Sequence, residues 1–239
     1  EVKLRFDNNI RLTEEIISIA NKEGIPCGGL DERLAARYRI SGDLDHGAMV
    51  PLYFIAEKYT DFKLVHISIA GLPFKELYKF GACIGKAVRN TGENAVFLAS
   101  GDLSHRLSPD GPYGFDESGP EFDSQLVNYL KIPDPEGLLN FDESLTEEAG
   151  ECGLRSFIMM FGALDGRSIR SEVYSYEGPF GVGYAVARFI PGEELAGRSL
   201  LDKLESLDKE RLDEIRKMED PYVSLARKAL EMYVTNSTV

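Results

Sequence analysis

Two short segments carry the residues best suited to chemistry. SGDLSHRL, at residues 100–107, puts His105 just past an apolar run, NAVFLAS, that reads as a strand. Side chains at the carboxyl ends of strands line the binding crevices of open α/β sheets. SGDLDHGAMVPLYFI places His46 between Asp45 and Gly47, where an apolar helix-like stretch opens. Imidazole changes protonation near neutral pH, and a nearby carboxylate biases its tautomer. His105 with Asp102, and His46 with Asp45, are therefore what a proton-handling site needs. A local role, each histidine hydrogen-bonding to hold its own loop, fits the same pattern. In AGECGLRSFIMMFGAL, Glu151 and Cys152 stand at the mouth of a helix. The positive helix end there stabilises a carboxylate and lowers the pKa of a thiol.

The elements that must position these residues alternate in type. Ile10, Ile16, Ile17, Ile19 and Ala20 give a helical face over 10–23, followed by a short strand at IPCGG. An apolar helix covers 47–58, with Pro51 tolerated near its first turn. A strand covers 63–69, a helix 73–90, and a second strand 94–100. The opening residues EVKLRF also read as a strand. This order predicts a parallel sheet covered on both faces.

The third histidine, His66, lies inside the 63–69 strand and is read as structural. The Gly- and Pro-rich stretch LSPDGPYGFDESGPEFD after His105 is too long for a simple connector and is placed to shape a pocket. Ser118 and Glu121 match a capping box, which starts a helix near Gly119 that buries Phe122, Leu126 and Leu130. Shorter helices run to about Glu148. The helix after Cys152 buries Leu154, Phe157, Ile158, Phe161 and Leu164. SEVYSYEGPFGVGYAVARFI reads as two strands joined at Gly178 and Pro179, and its glycines do not form a dinucleotide fingerprint. A charged linker with a surface helix then leads to an amphipathic helix with Val223, Ala226, Leu230 and Tyr233 on one face.

Composition narrows the function. The formal net charge of −13 over 239 residues gives a surface that repels nucleic acid and anionic membranes. The apolar runs are too short to span a bilayer and no charged-then-apolar leader opens the chain, so a cytoplasmic location is expected. Three widely spaced cysteines, Cys27, Cys83 and Cys152, argue against a disulfide framework. The sequon at Asn236 carries no weight without a secretory context. The chain opens in a strand-like run and stops within a helical pattern, which reads as a piece of a longer polypeptide.

LDHGAMVPLYF, ASGDLSHRL, and AGECGLRSFIMMFGAL followed by EGPFGVGYAVARF together resemble the class III extradiol ring-cleavage dioxygenases of the LigB type. The resemblance is to the branch known as AmmeMemoRadiSam system protein A and covers roughly residues 1–191. DPYVSLARKALEMYV resembles the opening helix of the Amme domain of that branch, and the Memo proteins are more distantly similar. The implied fold is a three-layer α/β/α sandwich with a mainly parallel central sheet, an added antiparallel hairpin and a helical C-terminal appendage. Its domains would be 1–191, a linker over 192–218, and the start of an Amme domain over 219–239.

The resemblance implies iron(II) held by two histidines and a carboxylate, with open positions for a catecholate and dioxygen. It places His105 as the base, His46 as a histidine that orients substrate or dioxygen, and Asp45 and Asp102 beside the substrate. Glu151 matches the carboxylate ligand. Cys152 competes for that role, as in a Memo-like site. The two histidine ligands are expected upstream of Glu1, so this stretch by itself should not hold iron tightly. Implied partners are a small aromatic substrate, dioxygen, the Amme domain of the same parent chain and a radical-SAM protein. Two alternatives stay open: a non-catalytic module that recognises such a partner or ligand, and a Cys152 hydrolase using His105, for which no nucleophile elbow is present.

Overall fold

The computed structural model describes residues 4–236. It contains helices α1 (Ile10–Lys22), α2 (Glu32–Tyr38), α3 (His46–Ala56), α4 (Phe74–Thr91), α5 (Ser118–Lys131), α6 (Pro135–Leu139), α7 (Glu143–Ala149) and α8 (Leu154–Ala163). Strands β1 (Arg167–Glu177) and β2 (Tyr184–Glu194) follow, then α9 (Leu200–Lys217) and α10 (Pro221–Asn236). The chain divides into two compact units, one ending at Arg198 and one starting at Ser199.

The core of the first unit is helical. α4 buries Leu77, Tyr78, Cys83, Ile84 and Ala87, and α8 buries Leu154, Phe157, Ile158 and Phe161. The two helices approach closely because glycines face backbone: a Cβ on Gly81 would collide with the Met159 carbonyl, and one on Gly162 with the Tyr78 carbonyl. The Tyr78 hydroxyl donates to Asp165 at 2.7 Å, which satisfies its one polar atom within this core. α1 packs on α4 and buries Leu12, Ile16, Ile19 and Ala20, whereas Ile10 is exposed. α5 buries Phe122, Leu126 and Leu130 as expected.

The antiparallel hairpin is present, with β1 and β2 paired from Arg167 and Glu194 to Glu177 and Tyr184. The parallel sheet is not. Among the described residues, 63–69 contributes only one isolated parallel bridge, Asn8 with Leu64, and 94–100 has no regular secondary structure. Residues 25–29 and the described part of EVKLRF form no strand either, and residues 1–3 of that run lie outside the described residues. The described residues thus do not show a three-layer sandwich with a mainly parallel sheet. The fold is mixed α/β, mostly helical, with one two-stranded sheet. Apolar β-branched runs mark a segment suited to a ladder, but the ladder exists only where a neighbouring strand supplies the facing amides and carbonyls. Val96 is 94% exposed as a result. His66 is likewise exposed, not packed in a core.

Two helix starts differ from expectation. Ser118 is the first residue of α5 and not its cap: its hydroxyl donates to Glu148 at 2.9 Å, and its own amide donates to Asp116. In the second unit, Val223, Leu230 and Tyr233 of α10 are exposed and not buried along one face. Arg227 instead joins α10 to its approach, pairing with Glu219 at 2.8 Å and Glu231 at 2.9 Å. The Ser and Thr of the sequon at Asn236 lie outside the described residues.

The close crossing of α4 and α8 predicts a sharp contrast between glycines. Gly81→Ala and Gly162→Ala should each cost about 1–3 kcal/mol by overpacking. Gly42→Ala, where an added methyl meets nothing within 4 Å, should stay within about 0.5 kcal/mol of the parent. Urea unfolding followed by circular dichroism measures all three.

Candidate functional site

The site is built on residues 101–107, held in place by the turn of the hairpin, by α5 and by the end of α7. The Leu103 amide donates to the Gly183 carbonyl at 2.9 Å, the Gly183 amide to the Ser104 carbonyl at 2.8 Å, and the Leu107 amide to Gly181 at 3.0 Å. On the other side, the Ser104 amide donates to Asp123 at 2.7 Å, and its hydroxyl donates to the Ala149 carbonyl at 2.9 Å. The His105 amide donates to the same carbonyl at 3.2 Å. Ser104 and Asp123 are both fully buried. Gly183 has no room for a side chain because a Cβ there would collide with the Asp123 carboxylate.

This backbone presents Asp102 and His105 together. His105 Nε2 lies 3.3 Å from Asp102 Oδ2. Cys152, at the entry to α8, completes the group: its sulfur is 3.8 Å from His105 Nε2 and accepts the Asp102 amide at 3.1 Å. The Cys152 amide in turn donates to the Asp102 carbonyl at 3.3 Å. The ligand atoms of Asp102, His105 and Cys152 all fall within 4.8 Å of one another. The ring of Tyr113 stacks on His105.

The residues singled out from the sequence are placed differently from one another. Glu151 turns Oε2 to the Leu154 amide at 2.7 Å and so caps the first turn of α8, while the ligand atom of its neighbour Cys152 joins the cluster. Burial raises the Glu151 pKa, against the opposing pull of its amide bonds and of Arg155. Asp45 caps α3, accepting the Ala48 amide at 2.9 Å. His46 opens that helix and is exposed; the first turn is tied to the segment just before the site by the Ser100 hydroxyl, which donates to the Gly47 carbonyl at 2.6 Å.

The expectation of an acidified thiol is corrected. Cys152 is exposed as a residue, yet its sulfur is partly desolvated. That desolvation, with the charges of Asp102 and Glu151, raises its pKa despite the Asp102 amide. Asp123 and Tyr176, which brace the site from behind, have no local signal in the sequence; Tyr176 donates to Asp123 at 2.7 Å from β1.

Chemically, the cluster offers one imidazole, one carboxylate and one thiol. The arrangement suits proton transfer by a carboxylate-held imidazole. As a metal site it does not fit the two-histidine, one-carboxylate face typical of non-haem iron(II). Among the described residues His105 is the one histidine in the cluster, and His46 and His66 are outside it.

Asp123 gives a pH test of this scaffold. Desolvation raises its pKa, with the Ser104 amide, the Tyr176 hydroxyl and His105 opposing. Folding therefore favours the protonated acid: the stabilisation is full below the carboxyl pKa of the unfolded chain, about 4, and is lost as pH rises through the higher folded value. Asp123→Asn, which keeps an acceptor for Ser104, should gain on the parent in urea midpoint as pH goes from about 4 to 7. A gain in the opposite direction would show that the buried carboxylate is net stabilised as an anion.

The described helices include none long and apolar enough to cross a membrane. Comparison with known proteins places residues 1–187 in the family described as the catalytic LigB subunit of aromatic ring-opening dioxygenase. The protein CA_C1420 of Clostridium acetobutylicum is 44% identical over 235 residues, which cover 98% of this chain and 50% of that protein. The beta subunit of a Pseudomonas 2-aminophenol 1,6-dioxygenase is 24% identical over 204 residues, covering 77% of this chain and 65% of the subunit. The chain thus spans about half to two thirds of the length of these relatives. With a match over residues 1–187, which include Asp102, His105 and Cys152, the chain belongs to the LigB family, described as the catalytic subunit of aromatic ring-opening dioxygenase.

Proposed function

We propose that this chain is part of a dioxygenase-like protein that acts on a catecholic or related aromatic substrate. One observation carries the reading: within a LigB-family chain, Asp102 and His105 converge beside Cys152 at the mouth of α8. The similarity to a 2-aminophenol 1,6-dioxygenase subunit supports a substrate with adjacent hydroxyl or amino groups on an aromatic ring. In this reading His105 takes the proton from the phenolic hydroxyl and later returns it. Asp102, 3.3 Å from Nε2, orients the imidazole for that transfer. His46 and Asp45, at the start of α3, border the substrate.

Iron(II) would supply dioxygen activation, and its histidine ligands would come from sequence preceding Glu1, with Glu151 or Cys152 as the ligand from this chain. In this reading, strands outside the described residues would pair with 63–69 and 94–100 in a parallel, three-layer sheet. The branch reading also extends to a proposal: an AmmeMemoRadiSam system protein A whose α10 begins an Amme domain and which works beside a radical-SAM protein.

A second reading is favoured by the position of Cys152. A thiol in the cluster, with Glu151 engaged as a helix cap, suits a Memo-like, non-catalytic metal- or ligand-binding module.

Ring cleavage is followed by oxygen uptake and product absorbance in the longer parent protein. His105→Ala should lower turnover about 100-fold, the scale of a lost general base; unchanged turnover would reduce His105 to a loop staple. Metal analysis separates the two readings. Loss of metal in Glu151→Ala with retention in Cys152→Ser supports the dioxygenase-like site, and the converse supports the Memo-like one.

A further inference from the structure

Proton transfer by His105 depends on how its ring is held, and one side of that ring is covered. The Tyr113 phenol stacks on the imidazole with centroids 5.0 Å apart and planes 22° from parallel. Tyr113 comes from the Gly- and Pro-rich loop, whose two ends are pinned. Leu107 and Phe115 form an antiparallel bridge, and the Asp116 amide donates to the Arg106 carbonyl at 3.2 Å. Between them, the Gly111 amide donates to Ser108 and the Gly114 amide to Gly111, with Gly114 at φ +73°, a left-handed conformation natural to glycine. Gly111 lies against the backbone of Gly181, 3.1 Å from where its Cβ would be, so the loop is seated on the hairpin turn that also holds Leu107.

Tyr113 is nonetheless 63% exposed, while the His105 side chain is only 19% exposed. The tyrosine is not placed there to fill a core. It shields the histidine. The torsion that turns an imidazole about its Cβ–Cγ bond is broad, so Asp102 and Cys152, which meet only the Nε2 edge, leave the plane of the ring free to tilt. An offset aromatic stack biases such a tilt by about two- to tenfold in population.

We propose that Tyr113 is the positioning residue of His105: its ring fixes the plane of the imidazole and covers one face, leaving the edge for proton transfer. An aromatic substrate then cannot stack on the covered face and presents its phenolic oxygen edge-on. The consequence for substrate rests on the dioxygenase-like reading; the positioning itself does not.

The test uses the 239-residue chain with isotope-labelled histidine. In the parent, the His105 ring protons should be shifted upfield of those of the exposed His46 and His66 and should show cross-relaxation to the Tyr113 ring. Tyr113→Phe should preserve both signatures. Tyr113→Leu and Tyr113→Ser should abolish both while leaving the Ser104 amide resonance, the reporter of the scaffold behind the site, in place. In the longer parent protein, Tyr113→Leu should lower kcat several-fold more than it raises KM, and Tyr113→Phe should restore it. Parent His105 protons without an upfield shift, or a shift that survives in Tyr113→Leu, would overturn the proposal. These signals are read without turnover, so a failure of ring cleavage in the parent protein would leave them standing.

Discussion

Ser104 is the knot on which the site depends. Its amide, carbonyl and hydroxyl are each taken by a different part of the chain: the carboxylate of Asp123 on α5, the amide of Gly183 beside β2, and the carbonyl of Ala149 at the end of α7. All of this happens out of water, where an unpaired polar atom costs about 1–3 kcal/mol. The register of residues 102–105 therefore has little freedom. Asp102 and His105, three residues apart on either side of the buried Leu103 and Ser104, are thrown outward to the same side, and their side chains meet.

The second requirement is the seat of α8. Glycines at 81 and 162 let α8 settle on α4 at backbone distance. Its entry then runs against residue 101, where a Cβ on Gly101 would strike the Gly153 backbone. That contact delivers the Cys152 sulfur to the Asp102 amide and to His105. The thiol is not made acidic there: desolvation and the charges of Asp102 and Glu151 raise its pKa, and only the Asp102 amide opposes them. Glu151, one residue away, meets the helix amides instead. Both residues precede α8, so neighbouring positions in the same turn are put to different uses: the Cys152 sulfur joins Asp102 and His105, and Glu151 caps.

What was legible in the sequence was what is local. α1, α4 and α8 follow from apolar spacing, α3 from its apolar run, the hairpin from its Gly-Pro turn, and the pairing of His105 with Asp102 from a separation of three residues; α5 is marked by a capping box that does not form, though its buried residues are those expected. Long-range partners were not legible. Nothing near Asp123 announces that it will bind Ser104 and Tyr176, and Ser118 carries a capping-box pattern while spending its hydroxyl on Glu148. The Gly-rich loop pointed to a pocket but not to Tyr113 as the ring that covers His105. The runs at 63–69 and 94–100 have the composition of strands, yet pairing is a property of two segments, and one segment cannot reveal whether its neighbour is there.

The proposed function requires an aromatic ligand to bind against Asp102, His105 and Cys152. A crystal structure of the protein with bound 2-aminophenol or catechol is the decisive measurement. Ligand density is expected with a phenolic oxygen within hydrogen-bond reach of the His105 ring edge, on the face away from Tyr113, and with the ring beside Cys152. Density elsewhere on the domain, with His105 still closed against Asp102 and Tyr113, would contradict it.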